Sequence, residues 1–186
     1  MSPMVLPVAR TRDEAHLYLD LHPCERCGGV DVAWDSAPVV DGTPARRYAG
    51  VCGECGASRE FVFAEPERSL EPGPDVAVLF GGSEPSRLLD PGEWMLVADL
   101  CAQAAAVPEG AEPDAEARYS LAVAVAAVEE IIKFLPPGGD AVPEPAFSSA
   151  RGRTVYHQER GRFHRRRLYL VRNSYRDSLT EMGGVG

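Results

Sequence analysis

Four of the five cysteines form two Cys-x-x-Cys motifs, which run from Cys24 to Cys27 and from Cys52 to Cys55. Each motif is followed directly by a glycine, Gly28 or Gly56. A Cys-x-x-Cys turn directs two sulfur atoms to one point, and the glycine lets the backbone curl so that its amides face those sulfurs. Two such turns brought together give four thiolates in the tetrahedral arrangement that suits zinc. The spacing therefore predicts a structural zinc site with Cys24, Cys27, Cys52 and Cys55 as its ligands.

The same cysteines could instead be redox-active pairs or four unrelated thiols. A redox pair of the thioredoxin type opens a helix after a strand, whereas both motifs here are followed by glycine and then by strand-like sequence. His22 lies two residues before the first motif and could replace one ligand, but four cysteines already complete a tetrahedron. Since four protein ligands leave no open position for water, catalysis at this metal is not expected.

The two motifs resemble those of zinc-ribbon and rubredoxin-like proteins. The four cysteines, with Gly28 and Gly56, carry the resemblance, which covers about residues 22–64. It implies a small ribbon-like sheet that bears the cysteine turns. It implies no single function, since members of this class bind nucleic acid, bind protein partners or stabilise one domain of a larger assembly. Rubredoxins hold iron at such a site, but they are much shorter and this chain does not match them elsewhere.

Local patterns predict the elements that position the cysteines. The run from Thr11 to Glu14 is a capping box that predicts a helix through about Leu21, although the alternating leucines that follow are also typical of a strand. Three β-prone runs, at residues 30–34, 46–51 and 59–64, then alternate with the two motifs. A ribbon this small has little core, so its metal would supply much of its folding free energy, about 10 kcal/mol or more.

The second half of the chain reads as helical. Asp90, followed by proline and by Glu93, predicts a helix that ends before Pro108. Asp114 starts a second helix that is apolar on nearly all sides, which indicates a central, buried position. Two further helices are predicted, one capped by Ser148 or Ser149 and one that forms the C-terminal segment.

A run rich in proline at residues 65–75 predicts a connector between residues 1–64 and residues 76–186. The predicted fold class is therefore α+β: a small antiparallel three-stranded four-cysteine zinc ribbon packed on a mostly α-helical lobe with basic C-terminal helices.

Charge is distributed unevenly along the chain. The net charge is −9, but residues 1–144 carry −15 and residues 145–186 carry +6. The basic C-terminal segment either docks on the acidic body of its own chain or binds an anionic partner. A basic run with aromatic residues could also hold phosphates and stack on bases. The residues predicted to contact a partner are Arg162, Phe163, Arg165, Arg166, Arg167 and Arg172.

Several function classes lack a signature in this sequence. No apolar run is long enough to span a bilayer and no leader is recognisable at the N-terminus, which favours a cytoplasmic protein with reduced cysteines. The usual motifs of metalloproteases, serine hydrolases and phosphate-binding loops do not occur. Cys101, on an apolar helix face, is expected to be a small buried hydrophobe rather than a reactive thiol.

These observations support three hypotheses. The first is a non-catalytic cytoplasmic zinc-binding protein that acts as a protein-interaction module, for example as an acidic neutralising or adaptor protein. The second is a regulator that binds nucleic acid through the ribbon and the arginine-rich helix. The third is an enzyme with a purely structural zinc, which would need a deep polar pocket in the helical lobe.

Overall fold

The computed structural model describes residues 6–40, 44–66, 70, 77–108 and 110–183. The chain divides into two compact units, Met1–Glu71 and Pro72–Gly186. The division falls inside the predicted connector at residues 65–75, most of which lies outside the described residues. Within the described ranges there are one three-stranded antiparallel sheet and five α-helices, so the fold class is α+β as predicted.

The first unit opens with helix α1, Arg12–Asp20, which confirms the predicted helix and rules out the strand interpretation of the same leucines. The Thr11 hydroxyl accepts a hydrogen bond from the Glu14 amide at 3.1 Å, as a cap should. The Glu14 carboxylate is fully buried and accepts hydrogen bonds from the Arg10 backbone amide at 2.7 Å and from its guanidinium at 2.6 Å. Burial of this charge is tolerated because its partner is held in the same place.

The sheet has the order β1-β2-β3, with β1 at Val32–Val39, β2 at Ala45–Cys52 and β3 at Ser58–Ala64. The first strand begins later than the predicted run at residues 30–34 and continues further. It begins later because the segment after the first motif is hydrogen-bonded to the cysteine turns. The Gly29 carbonyl accepts a hydrogen bond from the Cys24 amide, and the Asp31 carbonyl accepts one from the Gly53 amide, both at 2.8 Å. The strand pair Val32–Cys52 then places both turns at one end of the sheet.

Helix α1 covers one face of this sheet through aromatic contacts. The Tyr18 ring meets Phe63 edge-to-face at 5.4 Å, and the His16 ring meets Tyr48 at the same distance. Tyr48 and Phe63 are almost fully buried. This small aromatic core fixes the sheet whose end carries the cysteines.

The second unit is built from four helices: α2 at Pro91–Ala104, α3 at Ala115–Ile132, α4 at Ala150–Gln158 and α5 at Arg165–Glu181. The predicted caps Asp90, Asp114 and Ser149 each accept a hydrogen bond from the first turn that follows them. Helix α3 packs against both α2 and α5, as its apolar composition predicts. Glu130 on α3 is 3% exposed and forms an ion pair with Lys133.

The starts of α2 and α4 meet at a shared carboxylate. Asp90 Oδ1 accepts from the amides of Gly92 and Glu93 at 2.9 and 3.0 Å, while Oδ2 accepts from the Ser149 amide at 2.7 Å. This approach requires a glycine in α4, since a Cβ on Gly152 would lie 1.9 Å from Asp90 Oδ1. One aspartate thus caps its own helix and holds the entry to another.

Candidate metal centre

The two cysteine turns have the same backbone conformation. In each, the amide of the first cysteine donates to the carbonyl five residues later, and its carbonyl accepts from the glycine four residues later, at 2.7 to 2.9 Å. Those glycines, Gly28 and Gly56, have φ angles of +77° and +71°, a region that glycine adopts without strain. The amide of Gly29 also approaches the sulfur of Cys27 at 3.4 Å. The predicted role of the glycines, to curl the backbone around the sulfurs, is confirmed.

The four sulfur atoms meet between the turns. Cys24 Sγ lies 3.6 Å from Cys55 Sγ, and Cys27 Sγ lies 3.6 Å from Cys52 Sγ. A tetrahedron with metal–sulfur distances of about 2.3 Å has an edge of about 3.8 Å, close to these separations. All four sulfurs lie within 4.8 Å of one another, which suits one ion held by all four cysteines. The arrangement is compatible with a zinc-knuckle-like metal site, and it accommodates zinc or iron equally well.

The site has a buried side and an exposed side. The first cysteines of the two turns, Cys24 and Cys52, are 3% and 1% exposed. Cys55 is half-buried and Cys27 is exposed. An ion held between them would therefore contact the protein interior through one pair of sulfurs and lie near solvent at the other pair.

Electrostatics in the cluster favour a cation. Hydrogen bonds from the backbone amides of Arg26 and Cys27 lower the pKa of the Cys24 thiol to about 7. At Cys27 the Gly29 amide lowers the pKa, but the thiol of Cys55, burial and the remaining thiols outweigh it and raise the pKa to about 12. Ionisation is therefore favoured at Cys24 and opposed at Cys27. A bound divalent ion would displace the protons from both thiols.

His22 is placed for a structural role. Its ring stacks on the Tyr18 ring with centroids 3.8 Å apart, and its Nδ1 lies 2.6 Å from the Tyr18 carbonyl oxygen. The cysteine cluster is complete without it, in line with the sequence argument.

Three residues of the predicted partner-binding segment are engaged inside the second unit. The Arg162 guanidinium pairs with both carboxylate oxygens of Asp99, which raises the pKa of Arg162. Arg165 donates to the carbonyls of Gly139 and Pro136 at 2.7 and 3.0 Å. Phe163 is fully buried, so its ring is not accessible for stacking on a base in the folded unit. The contacts of these three residues are intramolecular, and their role towards a partner stays a prediction.

The remaining three arginines lie on the outer side of α5. Arg166 and Arg167 are exposed, and neither forms an ion pair within the part of the chain that the structure describes. Arg172 donates to the Asn173 side chain and lies over the Tyr169 ring at 4.6 Å. Their contact with a partner stays a prediction.

Sequence reasoning did not single out two features next to these arginines. Leu170 is 59% exposed, and an open cleft lies beside the start of α5. The cleft is lined by Asp140, His164, Arg165, Arg166 and Tyr169. Leu170 gave a weak sequence signal, because it is an apolar residue outside the apolar stripe of α5. The cleft gave none, because one of its lining residues, Asp140, is distant in the sequence.

Cys101 belongs to the second unit, whereas the four clustered cysteines belong to the first. It is half-buried beside the apolar cluster of Ala105, Leu121 and Leu179, and burial raises the pKa of its thiol. Both observations fit the small hydrophobe expected from the sequence.

No described helix combines the length and the apolar character needed to cross a bilayer. Comparison with known proteins finds no matching protein family, no matching curated protein and no matching solved structure.

Proposed function

We infer that the protein is a zinc-binding protein in which one ion, held by Cys24, Cys27, Cys52 and Cys55, stabilises the first unit. The observation that carries this proposal is the convergence of four sulfurs within 4.8 Å from two turns of matching geometry. The sheet that carries both turns at one end has only three strands, and much of its surface is exposed. An ion that links both turns would add folding free energy that this small core does not supply.

We further propose that the protein acts as a non-catalytic protein-interaction module in the reducing environment of the cytoplasm. Four protein ligands leave the ion no position for a substrate or an attacking water. Four of the five cysteines are proposed metal ligands rather than disulfide partners, which agrees with such a compartment. The cleft beside α5 is open rather than deep, so it lends no support to an enzyme with a deep polar pocket.

The nucleic-acid alternative has less support from the same residues. Phe163 is buried, and the Tyr169 ring is covered on one face by Arg172.

The metal is tested by elemental analysis of full-length protein purified without metal-affinity resin and under reducing conditions. One zinc per chain is expected, with tetrahedral thiolate absorption after exchange with Co²⁺. A chain without stoichiometric metal, or with these cysteines joined as disulfides in the native cell, would contradict the proposal. The interaction role is tested with an isolated partner: a protein complex that persists in high salt supports it, while nucleic-acid binding that falls steeply with salt supports the alternative.

A further inference from the structure

The six arginines between residues 162 and 176 fall into two sets with different surroundings. The first set forms ion pairs with carboxylates or hydrogen bonds with backbone carbonyls of the second unit, and consists of Arg162, Arg165 and Arg176. Arg166, Arg167 and Arg172 form no ion pair among the described residues. Their charge is therefore not neutralised by the helices that pack around α5, although that unit contains many acidic residues.

Two members of the second set, Arg166 and Arg167, flank an exposed apolar side chain. On α5, Arg166 and Arg167 precede Leu170 by four and three residues, so all three lie on neighbouring positions of one helix surface. Leu170 is 59% exposed. Tyr169 and Arg172 extend this surface through their stacked contact. We call the group Arg166, Arg167, Tyr169, Leu170 and Arg172 the α5 surface.

The cleft beside the start of α5 continues this surface. It is open to solvent, has a volume of about 750 Å³, and is lined by charged and aromatic side chains. Arg166 and Tyr169 belong both to the cleft and to the α5 surface. A chain segment lying along α5 could place a side chain in the cleft while its neighbours meet the arginines.

We propose that the α5 surface and its cleft bind an acidic segment of a partner protein, in which carboxylates alternate with apolar residues. Carboxylates would pair with Arg166 and Arg167, and guanidinium–carboxylate pairs are the most directional charged contacts in proteins. An apolar residue would cover Leu170, since an arginine-rich rim around an apolar centre is typical of protein interfaces. This inference rests on the proposed role as a protein-interaction module and names the chemistry of the partner.

A protein segment fits this surface better than a nucleic acid. A phosphate backbone offers no apolar group to cover Leu170, which is 59% exposed. The aromatic ring at this surface, Tyr169, is already stacked on Arg172. Base stacking would have to displace that contact.

The test measures binding of the full-length, zinc-loaded protein to two labelled probes. One is a helical peptide of glutamates with leucine at every third or fourth position, and the other is a twenty-nucleotide oligothymidine. The informative variants are Arg166→Glu/Arg167→Glu and Leu170→Ala. The matched control is Arg12→Glu/Arg87→Glu, which changes net charge equally at two exposed arginines that do not belong to α5.

We expect the peptide to bind, the double reversal on α5 to weaken it at least tenfold, and Leu170→Ala to weaken it about threefold. The control should stay within twofold of wild type. Glutamate is favoured in the first turn of a helix, so the reversal at Arg166 and Arg167 does not threaten α5. Circular dichroism and metal content of each variant verify that fold and zinc are retained.

Three results would overturn the inference. The peptide could fail to bind, or it could bind with equal loss in the α5 variant and in the control, which would reduce the effect to net charge. Alternatively, oligothymidine could bind more tightly than the peptide, with loss on arginine reversal and no response to Leu170→Ala, which would assign the surface to nucleic acid. In each case an intact zinc content leaves the metal proposal standing, so the two failures are distinguishable.

Discussion

Serine substitutions at the metal ligands are expected to separate the buried side of the site from its exposed side. Cys52 is 1% exposed at the end of β2, whereas Cys27 is exposed. When Cys27 is replaced by serine, water can reach the vacated position and complete the coordination of the ion. At Cys52 solvent has little access, and the serine would bury a hydroxyl where the ion needs a thiolate.

The size of the difference follows from the number of ligands. Structural zinc sites in peptides bind their ion with about 10–16 kcal/mol at neutral pH. If four thiolates share this equally, the loss of one raises Kd by roughly a hundredfold or more. We expect Cys52→Ser to raise the Kd for zinc by this full factor. Cys27→Ser should raise it only about tenfold, because water takes the place of the lost thiolate.

The assay is competition of the full-length protein with a chromogenic zinc chelator of known affinity. Cys101→Ser serves as the control, because that thiol lies in the second unit beside Leu121 and should leave zinc affinity unchanged. A larger loss for Cys27→Ser than for Cys52→Ser would refute the assignment of the two sides. Full zinc affinity in Cys52→Ser would refute the four-thiolate site itself.

The remaining predictions concern the two units separately. Each unit contains one of the two tryptophans, the half-buried Trp34 and the fully buried Trp94. Removal of zinc by a chelator should shift the tryptophan fluorescence of the wild type to longer wavelength, because unfolding of the first unit exposes Trp34. A similar shift in Trp34→Phe would report on Trp94 instead and would count against metal-dependent folding of the first unit alone. Gly152→Ala should lower the unfolding free energy of the second unit by about 2–4 kcal/mol, because its Cβ would displace Asp90 from two helix starts. Gly161→Ala, with open space around its Cβ, should be nearly neutral in urea denaturation, and equal effects at both glycines would refute this steric account.

Helix starts and cysteine turns could be predicted because their signals are local. Thr11, Asp90, Asp114 and Ser149 each cap a helix within the next three residues, so the residues that decide the structure are neighbours in the chain. The cysteine turns are equally local, since each is closed by hydrogen bonds that span at most five residues. The start of β1 was missed because its first residues depend on the second turn, through Gly53.

The roles of the arginines could not be separated by the same reasoning. Arg162 pairs with Asp99 and Arg176 with Glu129, at sequence separations of 63 and 47 residues. The buried position of Phe163 likewise depends on Phe147, which meets its ring at 4.8 Å. The sequence reveals that a run is basic, but packing decides which of its arginines form ion pairs or hydrogen bonds within the fold.

The sequence by itself determined the chemistry available to this protein: four thiols in two glycine-closed turns, capped helices and an excess of arginine near the C-terminus. Only the tertiary structure decided how this chemistry is arranged. It placed Cys24 beside Cys55 and Cys27 beside Cys52, it left Cys27 near solvent, and it brought Asp90 to the start of α4. The physical reason is that backbone turns depend on neighbouring residues, whereas burial and pairing depend on surfaces contributed by distant segments.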